Sequence, residues 1–430
     1  MTPAPRRGAP LSDRRGDRYR SGMRLVFSLG LLSLGLVSLV ACTDVDPVGS
    51  TDAGPGEGGA GEGEGEGGEG EGGEGEGEGE GGEGEGGEGE GGEGEGGEGE
   101  GEGEGEGPGE GEGEGEEDPG AVTRFVAVGD SGKGNDGQYR VADAMGAVCA
   151  ARGGCAFALL LGDNIYDAGV ADRDDAQWQE KFELPYAALD FPFYATLGNH
   201  DYGAPDVLQG FAGGIGIDPR RGAAQVDYAA SGDKFFMPDT HYRLQHGPLE
   251  LVSVNTASMF WADLGLIERA VGYDDENDRQ RANLAAWAAD PLAGWRVAFG
   301  HHPYLSNGPH GNAGRYDNVI IDGLIGSGTE LKAFFEEHVL GTFDVYLCGH
   351  DHSLQDLGDV DGTELLVSGG GSTHTDLDGE NPVVFEADRR GFLIVEATAT
   401  TMTFQFVVLP DDGDAVGEAF TFGPARTITR

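Results

Sequence analysis

The chain has 430 residues, 82 of them glycine, with 27 basic against 78 acidic side chains and a formal net charge of −51. Residues 53–120 hold 27 acidic and no basic groups, whereas residues 121–430 hold 46 acidic and 20 basic groups, a net of −26. Even the part of ordinary composition repels phosphate backbones and anionic lipid at long range, which argues against nucleic-acid partners and docking through a basic patch; its length, about 310 residues, suits one large domain or two small ones.

Seven arginines, Arg6, Arg7, Arg14, Arg15, Arg18, Arg20 and Arg24, precede an apolar run at 25–41 that ends Leu39-Val40-Ala41-Cys42. A charged start, an apolar middle and small residues before a cysteine read as an export signal closing on a lipobox over residues 1–42, with Cys42 as the lipidated residue. The run is shorter than the ~20 residues a membrane span needs. Translation from Met1 or from Met23 gives the same expectation: an exported bacterial lipoprotein, attached to membrane through lipid on Cys42 only. Thr43 after the cysteine points to the outer membrane. Export to an oxidising compartment bears on the other thiols. Cys149 and Cys155, separated by a short Arg152-Gly153-Gly154 turn, are expected to pair, and Cys348, in an apolar stretch, to be a buried free thiol.

Residues 43–120 are dominated by Gly and Glu, with no hydrophobic residue between Ala60 and Ala121. Such a segment buries too little apolar area to offset its ordering entropy and reads as a disordered acidic linker, extended by repulsion among its carboxylates.

From residue 121 to 430 the pattern changes. Residues 123–130 read as a buried strand, 141–150 as a helix and 157–163 as a second apolar strand, which is βαβ patterning. Further strands are predicted at 193–197, 249–255, 295–299, 344–348, 364–368 and 392–397, with helices near 279–289 and 330–340. Five apolar strands end in polar tips, and in open α/β sheets ligands bind at the carboxyl ends of strands. The tips read Gly129-Asp130-Ser131-Gly132, Gly162-Asp163-Asn164-Ile165-Tyr166, Gly198-Asn199-His200-Asp201, Gly300-His301-His302-Pro303 and Gly349-His350-Asp351-His352. Each alone is a common turn. Together they offer a bridging carboxylate and a mixture of oxygen and imidazole donors, the set that two hard cations held close together require.

The order and wording of these motifs resemble the calcineurin-like metallophosphoesterase superfamily and, within it, the small tartrate-resistant type of purple acid phosphatase, over roughly residues 124–371. Gly132 and Tyr166 carry the finer resemblance: many relatives have Asp-x-His in the first motif, whereas here Asp130-Ser131-Gly132 is followed by Tyr166 three residues after Asp163. The resemblance implies an α/β fold, a four-layer αββα sandwich. It also implies Fe(III) among Asp130, Asp163, Tyr166 and His352, and a divalent Fe, Zn or Mn among Asp163, Asn199, His301 and His350, with Asp163 bridging. A metal-bound hydroxide would attack the phosphorus of a phosphate monoester, with His200 and His310 as catalytic histidines serving the leaving group. His302, next to His301, is expected to point away and be structural. Asn255 stands where relatives often have Asp, and residues 269–281 look like an acidic inserted loop before a helix.

The expected function is therefore an exported, lipid-anchored acid phosphatase acting on small phosphate esters. A phosphodiesterase or a nucleotide or protein phosphatase of the same superfamily is the first alternative. The second is a non-catalytic surface binding lipoprotein. The sequence leaves oligomeric state and physiological substrate open.

Overall fold

The computed structural model describes residues 121–205, 214–292, 294–316, 328–411 and 419–430. The leader with Cys42 and the Gly/Glu tract lie outside the described residues. The chain builds part of one sheet, then a whole second sheet, and returns to the first. Strands β1 (Thr123–Val128), β2 (Phe157–Leu161), β3 (Phe193–Thr196) and β4 (Phe235–Phe236) lie side by side in parallel. The second sheet takes β5 (Tyr242–His246), β6 (Leu249–Ser253), β7 (Trp295–Phe299), β8 (Val345–Cys348), β9 (Leu354–Val360), β10 (Thr363–Ser368) and β11 (Phe385–Ala387), in the order β11-β9-β10-β8-β7-β6-β5. Its middle, β6, β7, β8 and β10, is parallel. β12 (Gly391–Ala397), β13 (Thr401–Val408), β14 (Thr421–Phe422) and β15 (Arg426–Thr429) complete the first sheet, where β12 runs antiparallel to β1.

Helices cover both outer faces. α1 (Asp136–Ala151) connects β1 to β2, and the side chain of its N-cap Asn135 accepts the Gln138 amide. After β3 come α2 (Asn199–Tyr202) and α3 (Pro219–Ala229); after β6 come α4 (Thr256–Met259), α5 (Gly265–Val271) and α6 (Tyr273–Ala289); α7 (Thr329–His338) precedes β8. The period-2 alternation of strands assigns the layers. In the second sheet Leu249, Leu251, Val297, Phe299, Val345 and Leu347 pack into the larger core shared with β1 and β2. Their neighbours Val252, Ala298, Tyr346 and Cys348 point the other way, onto Leu331, Phe334 and Phe335 of α7. The result is a mixed α/β sandwich of two sheets flanked by helices.

Several elements differ from the sequence expectation. The stretch 269–281 is not a loop: it belongs to α5 and α6, hinged at Gly272, because the acidic residues Asp274, Asp275 and Glu276 fill the first turn of α6, where the helix dipole favours negative charge. β4, β5, β9, β11, β13, β14 and β15 were not predicted, since strands such as β4 and β14 are two residues long and others such as β9 (LQDLGDV) carry polar residues and glycine and lack a continuous apolar run. The ligand-bearing strands end two residues early, at Val128 and Leu161, because Asp130 and Asp163 adopt positive φ values of 58° and 53°. Cys149 and Cys155 form a disulfide with Cα atoms 5.2 Å apart, and Cys348 is a buried free thiol.

Candidate metal centre

The parallel strands β1, β2 and β3 of one sheet and β7 and β8 of the other deliver their carboxyl ends to one place. The sheets meet closely there: Gly129 N donates to Ser368 O at 2.7 Å, and a Cβ on Gly129 would lie 3.0 Å from the Gly349 Cα. Just beyond β1, β2 and β8 the backbone turns through a left-handed residue. Asp130, Asp163 and His350 are three of the four non-glycine residues with positive φ among the described residues. Backbone strain of this kind concentrates at functional sites, and here it turns three buried polar side chains inward.

Two groups of donor atoms result. In the first, the Tyr166 hydroxyl lies 3.1 Å from Asp130 Oδ1 and 3.0 Å from His352 Nε2, and the last two are 3.4 Å apart. In the second, His301 Nε2 lies 3.0 Å from Asn199 Oδ1, 3.2 Å from His350 Nδ1 and 3.4 Å from Asp163 Oδ2. Asp130, Asp163 and His301 each offer an atom within 4.8 Å of the others, so the groups form one centre. Adjacent ligands on an ion with bonds of about 2.1 Å stand roughly 3 Å apart, the spacing found here.

Tautomer and orientation identify which atoms face inward. His301 Nδ1 lies 2.9 Å from the Leu161 carbonyl, an acceptor only, so Nδ1 carries the proton and Nε2 presents its other valence to the centre. Asn199 Nδ2 donates to Gly214 O at 2.8 Å, which turns Oδ1 the same way. The acceptor oxygens of Asp163 and Asn199 thus converge, with His350 Nδ1, on His301 Nε2, and a proton or a cation must sit among them. Burial lowers the His301 pKa, but the charge and hydrogen bond of Asp163, the Asp130 charge and the Leu161 carbonyl together outweigh it and raise the value to about 9. Burial pushes the Asp163 carboxyl up, yet His301 and His200 hold it well below the usual carboxylate range. His350 is held neutral, by burial first and then by neighbouring histidines, and its Nε2 is buried with no hydrogen-bond partner among the described residues. A set of hard oxygens and imidazoles in a negative field, which a cation in place of the His301 proton would satisfy, fits a metal site.

All seven residues expected as ligands therefore come together. The expected catalytic histidines flank them. His200 Nδ1 lies 2.6 Å from the Asp167 carbonyl, and its ring packs 4.3 Å from that of Tyr166. His310 stacks on His350 at 4.3 Å, its backbone amide donating to Asp351 Oδ1. His302 does not point away: its ring lies 4.4 Å from His350 and its Nδ1 3.1 Å from Thr256 Oγ1. The strand ends at Phe299, so simple alternation no longer governs where its side chain points.

Sequence reasoning missed the residues that hold the ligands. Asp201 is fully buried; Oδ1 accepts from Ile165 N (3.0 Å) and Gln225 Nε2 (2.7 Å), and Oδ2 from Gly198 N (2.8 Å), Asn164 N (3.1 Å) and Asn164 Nδ2 (3.2 Å). It joins the Asp163–Tyr166 turn to the Asn199 turn; burial and then the Asp163 charge raise its pKa to about 6. Its place in Asn199-His200-Asp201 was the available signal. Thr256 Oγ1 accepts the amides of His301 and His302, and Thr373 Oγ1 lies 2.9 Å from His352 Nδ1. Gly132 explains the first motif: a Cβ there would fall 1.9 Å from Asn164 O, so no histidine fits, and the chain lying against Gly132 carries Tyr166 into the centre instead.

A family model described as calcineurin-like phosphoesterase matches residues 123–354. Among curated proteins the chain is similar to the tartrate-resistant acid phosphatase type 5 of Homo sapiens, 30% identical over 269 residues, covering 58% of this chain and 73% of the relative. It is also similar to the Sus scrofa protein of the same name, 28% identical over 272 residues, covering 59% and 71%. Among solved structures, GAP50, described as the anchor in the inner membrane complex of Plasmodium, shares the fold with a TM-score of 0.51 and 20% identity over 70% of this chain and 88% of its own.

Proposed function

The chain belongs to the calcineurin-like phosphoesterase family and is related at low identity to purple acid phosphatases, and we propose that it is a binuclear-metal acid phosphatase of the small, tartrate-resistant kind, acting on phosphate monoesters. The observation that carries the proposal is the convergence of Asp163, Asn199 and His350 on His301 Nε2, beside a second group in which a tyrosine hydroxyl stands between a carboxylate and an imidazole. Asp130, Asp163, Tyr166 and His352 would hold Fe(III), because a phenolate is a hard donor that favours the trivalent ion; Asp163, Asn199, His301 and His350 would hold a divalent Fe, Zn or Mn. When bound, the pair supplies Lewis acidity, making water acidic enough to act as a nucleophile and offsetting charge on the phosphoryl oxygens.

The protein's own residues have separate tasks. The Leu161 carbonyl, Gly214 carbonyl and Thr373 hydroxyl fix the rings and amide that bear the ligand atoms, so little reorganisation remains at the moment of reaction. His200 is tethered through Nδ1 to the Asp167 carbonyl, leaving Nε2 to exchange a proton with the ester or the leaving alcohol. His310, against the face of His350, stands on the divalent side and is assigned to the leaving group. The export signal and lipobox support a lipoprotein anchored through Cys42 at the outer membrane. No helix among the described residues is long and apolar enough to cross a membrane.

The test is metal analysis and a visible spectrum of the purified protein beside a Tyr166→Phe variant. A green-absorbing band that vanishes in the variant, with about two metals per chain, supports the ferric assignment. A colourless protein with two zinc or manganese ions keeps the hydrolase and removes the purple-phosphatase part. A protein that takes up no metal after reconstitution sinks the proposal.

A further inference from the structure

Next to the metal centre lies a cavity of about 400 Å³. One wall is the loop 306–312, which carries His310; the other is the loop at 378–381. His310 both lines the cavity and stacks on the candidate ligand His350, so one side chain borders both the cavity and the candidate metal centre.

The walls are fixed before any ligand arrives. Asn381 N donates to Asn307 Oδ1 at 2.7 Å, and Asn381 Nδ2 donates to Ser306 O at 2.8 Å and to Asn312 Oδ1 at 2.9 Å. Asn307 returns the contact, its Nδ2 donating to Asn381 O at 3.0 Å, while its carbonyl accepts the Asp378 and Gly379 amides at 2.9 Å. The asparagines are therefore consumed in joining the two loops. The lining side chains left for a ligand are Arg315, Asp378 and Glu380, none of which makes a hydrogen bond or ion pair with the described residues. Pro309 is the one apolar side chain beside them.

We propose that this cavity receives the alcohol part of the phosphate ester and favours a small amino alcohol. An occupant must match a polar lining, which disfavours aryl groups. Two carboxylates against one guanidinium, in a region 121–430 of net charge −26, repel a second anionic group and attract an ammonium. The assignment rests on the phosphoesterase function proposed above.

The experiment compares kcat/KM for O-phosphoethanolamine, glycerol 2-phosphate and phosphoglycolate, which carry an ammonium, a neutral polyol and a carboxylate. Solvent-screened pairs are individually weak, so about fivefold to twentyfold between the first and last is expected, falling in raised salt. In the double variant Asp378→Asn, Glu380→Gln the spread contracts to about twofold, chiefly through KM for the amine, with metal content and near-ultraviolet circular dichroism reporting that the variant folds. Equal kcat/KM for the three esters, or a spread the double variant leaves unchanged, overturns the subsite alone. Failure to hydrolyse any of them overturns the enzyme assignment and the subsite together.

Discussion

Replacing Gly132 with alanine adds one methyl group at the most crowded point of the site. Its Cβ would lie 1.9 Å from Asn164 O, 2.1 Å from Asn164 C and 2.5 Å from Ile165 N, all backbone atoms that cannot swing aside. Restoring ordinary contact near 3.4 Å requires a displacement of about 1.5 Å in the segment between Asp163 and Tyr166, and a misplacement of that order costs a site about a hundredfold in rate. The same segment is held by Asp201 through the Asn164 and Ile165 amides, so the movement also strains those hydrogen bonds. Overpacking of this kind costs about 1–3 kcal/mol of stability. The assay is kcat on a phosphate monoester, metal content per chain and the urea midpoint, compared with Gly232→Ala, where an added Cβ meets nothing within 4 Å. Gly132→Ala is expected to lose about two orders of magnitude in kcat and part of its metal, with Gly232→Ala close to the unaltered protein. A Gly132→Ala protein with full metal and full rate would refute the claim that this contact sets the position of Tyr166.

Asp201→Asn replaces an oxygen that accepts from three N–H groups, or one that accepts from two, with an amide NH₂; the expected cost is about 2–4 kcal/mol in denaturation, with weakened metal retention on dialysis, and unchanged values would show that Asp201 does not hold the two turns. Glu276 is raised by burial, but hydrogen bonds from His241, Thr240 and Arg279 bring it down from 4.5 to about 2. Its contribution, about 3 kcal/mol, is present above pH 4.5 and lost as pH falls through about 2. Urea denaturation at stepped acid pH should show this loss, and Glu276→Gln should flatten the slope; equal slopes would contradict the assignment. Removing the Cys149–Cys155 bridge, which closes a sequence separation of 6, should cost about 2 kcal/mol, read as a lower urea midpoint for the double alanine variant.

The candidate ligand residues that the structure brings together stand out in the sequence because their signal is local. Asp130, Asp163, Asn199, His301 and His350 each follow a short apolar strand and a glycine, and a strand-end turn of that kind is written in adjacent residues. The parallel middle of each sheet was legible for the same reason, since strands buried on both faces read as continuous apolar runs. The antiparallel strands outside that middle were not: β9 and β13 mix polar and apolar residues, and pairing partners such as β12 and β13 become evident only once the chain returns to the first sheet. The helical character of 269–281 was hidden by its acidity, which the first turn of α6 turns to advantage.

What the sequence by itself determined is the inventory of donors and their order along the chain. What only the tertiary structure decided is which atom of each donor faces inward. His301 presents Nε2 because a carbonyl from β2, far away in sequence, occupies its Nδ1, and His302 lies beneath His350 because the strand has already ended. Asp201 could be named from the sequence as an aspartate in a motif, but its role follows from burial beside five donors brought from three segments. Hydrogen-bond direction and burial depend on partners distant along the chain, and those partners exist only when the two sheets have closed on each other.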